Sequence, residues 1–338
     1  MSFQPHIVTI GGGSGAPVIL RSLVSARFRN IAAIVAATDS GGKTGHLRSD
    51  ERDRVIAISD LLRSLLALIP SETSSLPHIQ AFTQILAFTD GRRRNAGYNL
   101  YYSLLEMYQN DFEKVQKHLE ALLRLKFAGK AIPVTMDSCQ LLFTTKSGRQ
   151  FTGEHELDRL SMSKDTVATI QLDHPTTATS PAREAIKKAK YIIYTPGSIY
   201  GSIIANFLPD GITTALKESS AKRILITNLV TDRNQTHHYD LRHYHRLLKR
   251  HTGLSSPFHI ALIPHLSRQQ FESRHPQVVQ SYALEHSHFM DFSRADLSWA
   301  KQQGIEVIKK DIFSITPTLN RLRHDPDKLA PILTEILL

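Results

Sequence analysis

IVTIGGGSGAPVILRSL, residues 7–23, decides the fold. A short β-branched run stops at consecutive glycines, and a stretch with apolar residues at helical spacing follows. That is a strand, a tight turn and a helix. Gly11-x-Gly13-x-x-Ala16 matches the dinucleotide fingerprint with alanine in its third position. Glycines let the backbone come close to a phosphate, and the free N–H groups of a helix start attract negative charge. Pro17 suits the first helical turn, where its missing N–H costs nothing. The same residues also read as a tight turn with no ligand.

Working outward, the same grammar recurs. Residues 31–37 end in Thr38-Asp39, and residues 191–194 end in Thr195-Pro196-Gly197-Ser198. Residues 223–226 end in Thr227-Asn228, and residues 259–263 end in Pro264-His265. Short apolar runs bounded by turn residues are strands buried on both faces, as in a parallel sheet. The fold expected is α/β: a three-layer, Rossmann-like, doubly wound and mostly parallel sheet. Ligands of such sheets sit beyond the carboxyl ends of the strands, at a topological switch point. One domain over residues 1–338 is expected, with a helical elaboration over about 54–127 and a β insertion over about 132–172. Within the elaboration, residues 70–97 read as a polar loop, and Ser59 or Asp60 as a local helix cap. QLLFTTKSGRQFTGE, residues 140–154, has a Ser-Gly turn and suits a hairpin. Glu154 follows a turn glycine and reads as structural.

Composition narrows the classes. The chain has 338 residues, is 41% hydrophobic and carries a formal charge of +10, so it can build a core and suits an anionic partner. The single cysteine, Cys139, excludes an internal disulfide framework. No leader-like segment and no long apolar run is present, so a cytoplasmic protein without membrane insertion is expected. The densest basic cluster is HHYDLRHYHRLLKRH, residues 237–251. Leu241, Tyr244 and Leu248 mark one buried helical face, which turns Arg242, His245, Arg246, Lys249 and Arg250 to water. His237 and His238 lack a partner at metal-ligand spacing on that helix, so no zinc site is expected, and nucleic acid is not the expected partner.

A second glycine stretch raises a competing reading. A-T-D-S-G-G-K-T, residues 37–44, is one Ala-for-Gly change from the Walker loop. A Walker loop feeds directly into an amphipathic helix. Here Gly45 and a polar run follow, with no apolar stripe before Val55. The stretch therefore reads as an extended active-site segment with an acid, glycines and cations. Asp39 ends the second strand, where a ribose-binding carboxylate would stand in a nicotinamide enzyme.

At this segment the chain resembles the superfamily of the gluconeogenesis factors (YvcK-like) and the 2-phospho-L-lactate transferases (CofD-like). The gluconeogenesis-factor pattern has a glycine loop after its first strand and then D-D-G-G-S-S-G-R-L-R. These stand here as GGGSG at residues 11–15 and DSGGKTGHLR at residues 39–48. The family's later motifs follow in order as SDLLRSL at residues 59–65, GYNLYYSLL at 97–105 and AIPVT at 131–135. TPGSIYGSIIANFL at residues 195–208 and NLVT at 228–231 continue the series. Several positions depart from it. Ser40 replaces the second acid, Lys43 and Thr44 replace serines, and Tyr98 replaces a histidine. The G-E-T expected after the last motif is not recognisable in residues 232–236.

The gluconeogenesis-factor branch implies binding of a nucleotide-sugar, UDP-linked in the reading taken here, with a regulatory role. The transferase branch implies metal-dependent transfer of a phospholactyl-type group from a nucleotide-activated donor. A nicotinamide oxidoreductase is the third class. Candidate binding residues are Gly12, Gly13, Ser14, Gly15, Asp39, Ser40, Gly41, Gly42, Lys43, Thr44, Asn99, Pro196, Gly197, Ser198 and Asn228. Asn99 also reads as a helix cap, and Asn228 as a strand-end turn residue. Were the chain an enzyme, Asp39 and Asp60 would be the catalytic candidates. Losing an acid and gaining Lys43 disfavours a divalent cation and favours direct phosphate contact. No cofactor is required on this reading. Mg²⁺ enters only with transfer chemistry, the expected ligand is a small nucleotide-sugar, and a homo-oligomer remains open.

Overall fold

The computed structural model describes residues 4–38, 58–92, 94–158, 165–232 and 235–338. The chain starts with β1 (Ile7–Gly11), α1 (Gly15–Ser25) and β2 (Ile31–Val35). The helices α2 (Ser59–Ala67), α3 (Pro77–Ala87), α4 (Ala96–Met107) and α5 (Phe112–Leu123) then precede β3 (Gly129–Pro133). Next come β4 (Leu141–Thr145), β5 (Gln150–Thr152) and β6 (Val167–Leu172), then α6 (Ser180–Lys188) and β7 (Tyr191–Tyr194). The series α7 (Ile212–Glu218), β8 (Lys222–Ile226), α8 (Leu241–Thr252) and β9 (Ile260–Pro264) follows. The last part holds α9 (Arg268–Arg274), α10 (Pro276–Ala283), α11 (Arg294–Gln302), β10 (Glu306–Lys310), β11 (Phe313–Ile315), β12 (Leu322–His324) and α12 (Pro326–Leu337).

Seven strands form one sheet in the order β10-β9-β8-β7-β1-β2-β3, and every adjacent pair is parallel. Ile7 of β1 pairs with Ile31 on one side and Tyr191 on the other. From β1 the chain winds toward β3, and from β7 it winds the opposite way toward β10. Right-handed crossovers in opposite directions place helices on both faces. α1 packs with α2 and α12, while α6 packs with α7 and α8 with α11. The order therefore reverses between β1 and β7, and that is the switch point.

The strands read from the sequence are central. Every residue of β1, β2, β7 and β9 is buried, as continuous apolar runs require. The edge strands β3 and β10 were not among those read. The Gln150–Thr152 strand pairs antiparallel with β4 across the Ser147-Gly148 turn, and β6 completes the small sheet.

Residues 70–97 are not a loop. They hold a one-turn helix at Ser71–Ser74 and all of α3, which starts at Pro77 and buries Ile79 and Leu86. Neither Ser59 nor Asp60 caps α2; Ile58 holds the cap position, with no side-chain hydrogen bond there. α8 buries Leu241, Tyr244 and Leu248 as its spacing demands, and Arg242, Arg246, Lys249 and Arg250 are exposed, but His245 is half-buried beside the Phe258 and Trp299 rings and not turned to water. Among the described residues, no helix is long and apolar enough to cross a membrane.

Candidate functional site

The turns after β1 and β7 face each other at the switch point. A Cβ on Gly15 would fall on the Pro196 carbonyl, so glycine is what allows this approach. Gly197 sits at φ +154°, a region that side chains avoid. Its N–H donates to Asn228 Oδ1 at 2.8 Å, and its carbonyl accepts from Asn228 Nδ2 at 2.9 Å. Asn228, at the end of β8, thus clamps the Gly197 peptide from both sides. Its side chain positions the turn, which is more than a strand-end role.

Ser198 caps the short helix Ile199–Ile203, accepting from the Gly201 N–H at 3.0 Å. Its hydroxyl donates to Gln235 Oε1 at 2.8 Å. Gln235 in turn donates its backbone N–H to Asp232 Oδ1 at 3.1 Å. Asp232, Gln235 and Thr236, in the stretch where the family motif is not recognisable, therefore belong to the site.

The other turn is held from below. The Gly13 N–H donates to Asp60 Oδ2 at 2.6 Å, and the other oxygen of Asp60 is ion-paired with Arg63. Asp60 is buried, with 7% of its surface exposed. A carboxylate between an amide and a guanidinium supports the loop. Among the described residues, no three His, Cys, Asp or Glu side chains form a metal-ligand group, and Asp60 is already neutralised by Arg63.

These turns open onto a cavity of about 520 Å³. Six of the candidate binding residues, Ser14, Gly15, Pro196, Gly197, Ser198 and Asn228, line it. Gly12 and Gly13 do not line it; they lie behind, against Asp60. Asn99 does not line it either. It is an exposed residue of α4, and Asn95, not Asn99, caps that helix by accepting from the Tyr98 N–H at 3.0 Å. Asp39, Ser40, Gly41, Gly42, Lys43 and Thr44 lie outside the described residues.

The far wall comes from the C-terminal part of the chain, which sequence reasoning missed. Arg321, Arg323 and His324 line the cavity from the β11–β12 hairpin, together with Asp232 and Glu285. Arg321 donates to Glu285 at 2.7 Å and stands over the Tyr282 ring at 5.1 Å. The pairing with Glu285 raises the Arg321 guanidinium further above its ordinary value. His324 is buried, and its Nε2 donates to the Thr227 carbonyl at 3.0 Å. Desolvation pushes the His324 imidazole down to about 4, so it is neutral near pH 7. The charges in LRHD, residues 322–325, were the available signal. Glu154 packs against Gly201, consistent with a structural role.

The pattern of the family 2-phospho-L-lactate transferase CofD matches residues 7–313. The chain is 33% identical over 342 residues to a provisionally designated gluconeogenesis factor of Thermoanaerobacterium thermosulfurigenes, covering 98% of this chain and 97% of that one. It is 27% identical over 338 residues to the gluconeogenesis factor of Bacillus subtilis, covering 100% and 99%. A crystal structure of a UPF0052-family protein from Bacillus halodurans superposes with a TM-score of 0.82 at 25% identity, over 99% of this chain and 100% of that chain.

Proposed function

The chain belongs to the 2-phospho-L-lactate transferase CofD family and its gluconeogenesis-factor relatives, and from that premise we propose that it is a regulatory protein that binds a nucleoside diphosphate-sugar, UDP-linked, at the switch point. The observation that carries the reading is the cavity of about 520 Å³ between the β1 and β7 turns. Two glycine turns meet there, so a diphosphate can approach backbone on both sides. Guanidinium groups on the opposite wall offer positive charge at the other end. Asp60 and Glu285 are ion-paired with Arg63 and Arg321, and Asp232 accepts from the Gln235 N–H, which favours binding over acid–base chemistry.

The test is a thermal-shift panel with UDP-sugars, UDP, GDP, GTP and NAD, repeated with Mg²⁺ and with EDTA. A ligand at about 100 times its dissociation constant adds about 2.7 kcal/mol of stability, a readily measured rise in melting temperature. UDP or a UDP-sugar is expected to give the largest shift, and EDTA to change it little. Response to GTP alone, or a strict Mg²⁺ requirement, would transfer the reading to a nucleotide-dependent transferase.

A further inference from the structure

A second and larger hollow, of about 710 Å³, lies between α1 and α2 beside the start of α12. It meets the first cavity at Ser14, which lines both. Two guanidinium groups line it, Arg21 and Arg63, against one lining carboxylate, Asp327. Arg21 has no ion pair with any described acid, while Arg63 is paired with Asp60. The rest of the wall includes Val24, Leu66 and Ile79. The hollow thus mixes apolar side chains with the hydroxyls of Ser25, Ser71, Ser74 and Thr83, and the exposed Arg21 guanidinium stands at one side. Arg63 also connects it to the nucleotide turn, because Asp60 holds both Arg63 and the Gly13 N–H.

We propose that this second cavity binds a small organic anion, an apolar body carrying one phosphate or carboxylate group, with Arg21 as its anchor. The anion also draws on Arg63 and so loosens the support of Asp60 under Gly13. Occupancy of this cavity then changes affinity at the first one, and by linkage the nucleotide changes affinity for the anion by the same factor. The coupling rests on the nucleotide-binding reading; the anion site does not.

The experiment is calorimetric titration of the full chain with phenyl phosphate, benzoate and the neutral benzamide, first without nucleotide. At least one of the anions is expected to bind and benzamide is not. Arg21→Gln should weaken the anion about tenfold, the loss of one charge-assisted hydrogen bond. Gly197→Val, in the first cavity, should leave anion binding unchanged. Failure of both anions to bind, equal binding by Arg21→Gln, or weakening by Gly197→Val alone would each overturn the site. UDP is then titrated with and without saturating anion. A change of several-fold supports the coupling, and an unchanged UDP affinity overturns it. A chain that binds no UDP at all refutes the nucleotide reading, and the anion titrations still decide the second cavity.

Discussion

At the scale of single residues, the site depends on two supports, and each can be removed. Asp60 satisfies the Gly13 N–H and balances Arg63. Asp60→Ala takes one acceptor from a half-buried guanidinium, which keeps its bond to the Ser59 carbonyl, and removes the acceptor of the Gly13 N–H. Removing one member of such a pair costs several kcal/mol when fully buried. Arg63 keeps 41% of its side chain exposed, so about 2 kcal/mol is the expected loss, read from urea unfolding. A variant as stable as the wild type would show that Asp60 is not the support of the turn. Gly197 is the second. Gly197→Val puts a β-branched residue at φ +154° and breaks the Asn228 clamp. A folded Gly197→Val protein should lose at least about tenfold in UDP affinity, since the turn can no longer present its backbone. Unchanged affinity would take this turn out of the site. The cavity-lining residues legible in the sequence are those whose chemistry lies in the backbone: Gly15, Pro196, Gly197 and the cap serine Ser198. Asp60 stands in the sequence as a catalytic candidate, but its bond to Gly13 is not legible there, because the two lie 47 positions apart and meet only in the fold.

At the scale of elements, legibility followed burial. Strands β1, β2, β7, β8 and β9 announce themselves as apolar runs because helices cover both their faces. The edges are less apolar. The strand Gly129–Pro133 exposes Lys130, and the burial of Glu306–Lys310 is partial, so neither shows the run that a central strand must. α3 was hidden for a different reason. SETSSLP, residues 71–77, looks like a loop, but its proline is the first residue of the helix, where proline is tolerated. α4 shows how an asparagine can be assigned to the wrong job. Asn95 accepts from the Tyr98 N–H and also donates to the Phe88 carbonyl at 3.2 Å, fixing the α3–α4 connection. Asn95→Ala should therefore cost about 1–2 kcal/mol. Asn99→Ala, on an exposed position, should stay within about 0.5 kcal/mol. Denaturant midpoints of the two variants decide this, and a larger loss for Asn99→Ala would reverse the assignment.

At the scale of the whole molecule, the site joins the two ends of the chain. The β1 turn forms one wall, and the β11–β12 hairpin, more than 300 residues later, forms the other. The sequence marks the first wall through glycines and the second only through the charges of residues 322–325, since a hairpin gains its role only when α12 returns to pack on α1. His324 lies where these parts meet, and it ties global stability to pH. Burial holds its imidazole at about 4 in the folded chain, against about 6.5 when unfolded. The unfolded state thus takes up a proton between these values that the folded state refuses. Stability is full above pH 6.5 and declines as pH falls toward 4, by about 2 kcal/mol between pH 7 and pH 5 from this residue alone. His251, also pushed down to about 4 by burial, adds to the decline in the same direction, with a smaller effect because it is partly solvated. Urea midpoints measured from pH 7 to pH 5 should therefore fall, in a range where ordinary carboxylates remain ionised. His324→Gln keeps an amide donor for the Thr227 carbonyl but cannot titrate, so its midpoint should fall less steeply by about 2 kcal/mol over the same range. A variant with the slope of the wild type would mean that His324 accepts its proton in the folded state, and that the wall of the cavity opens to water when it does.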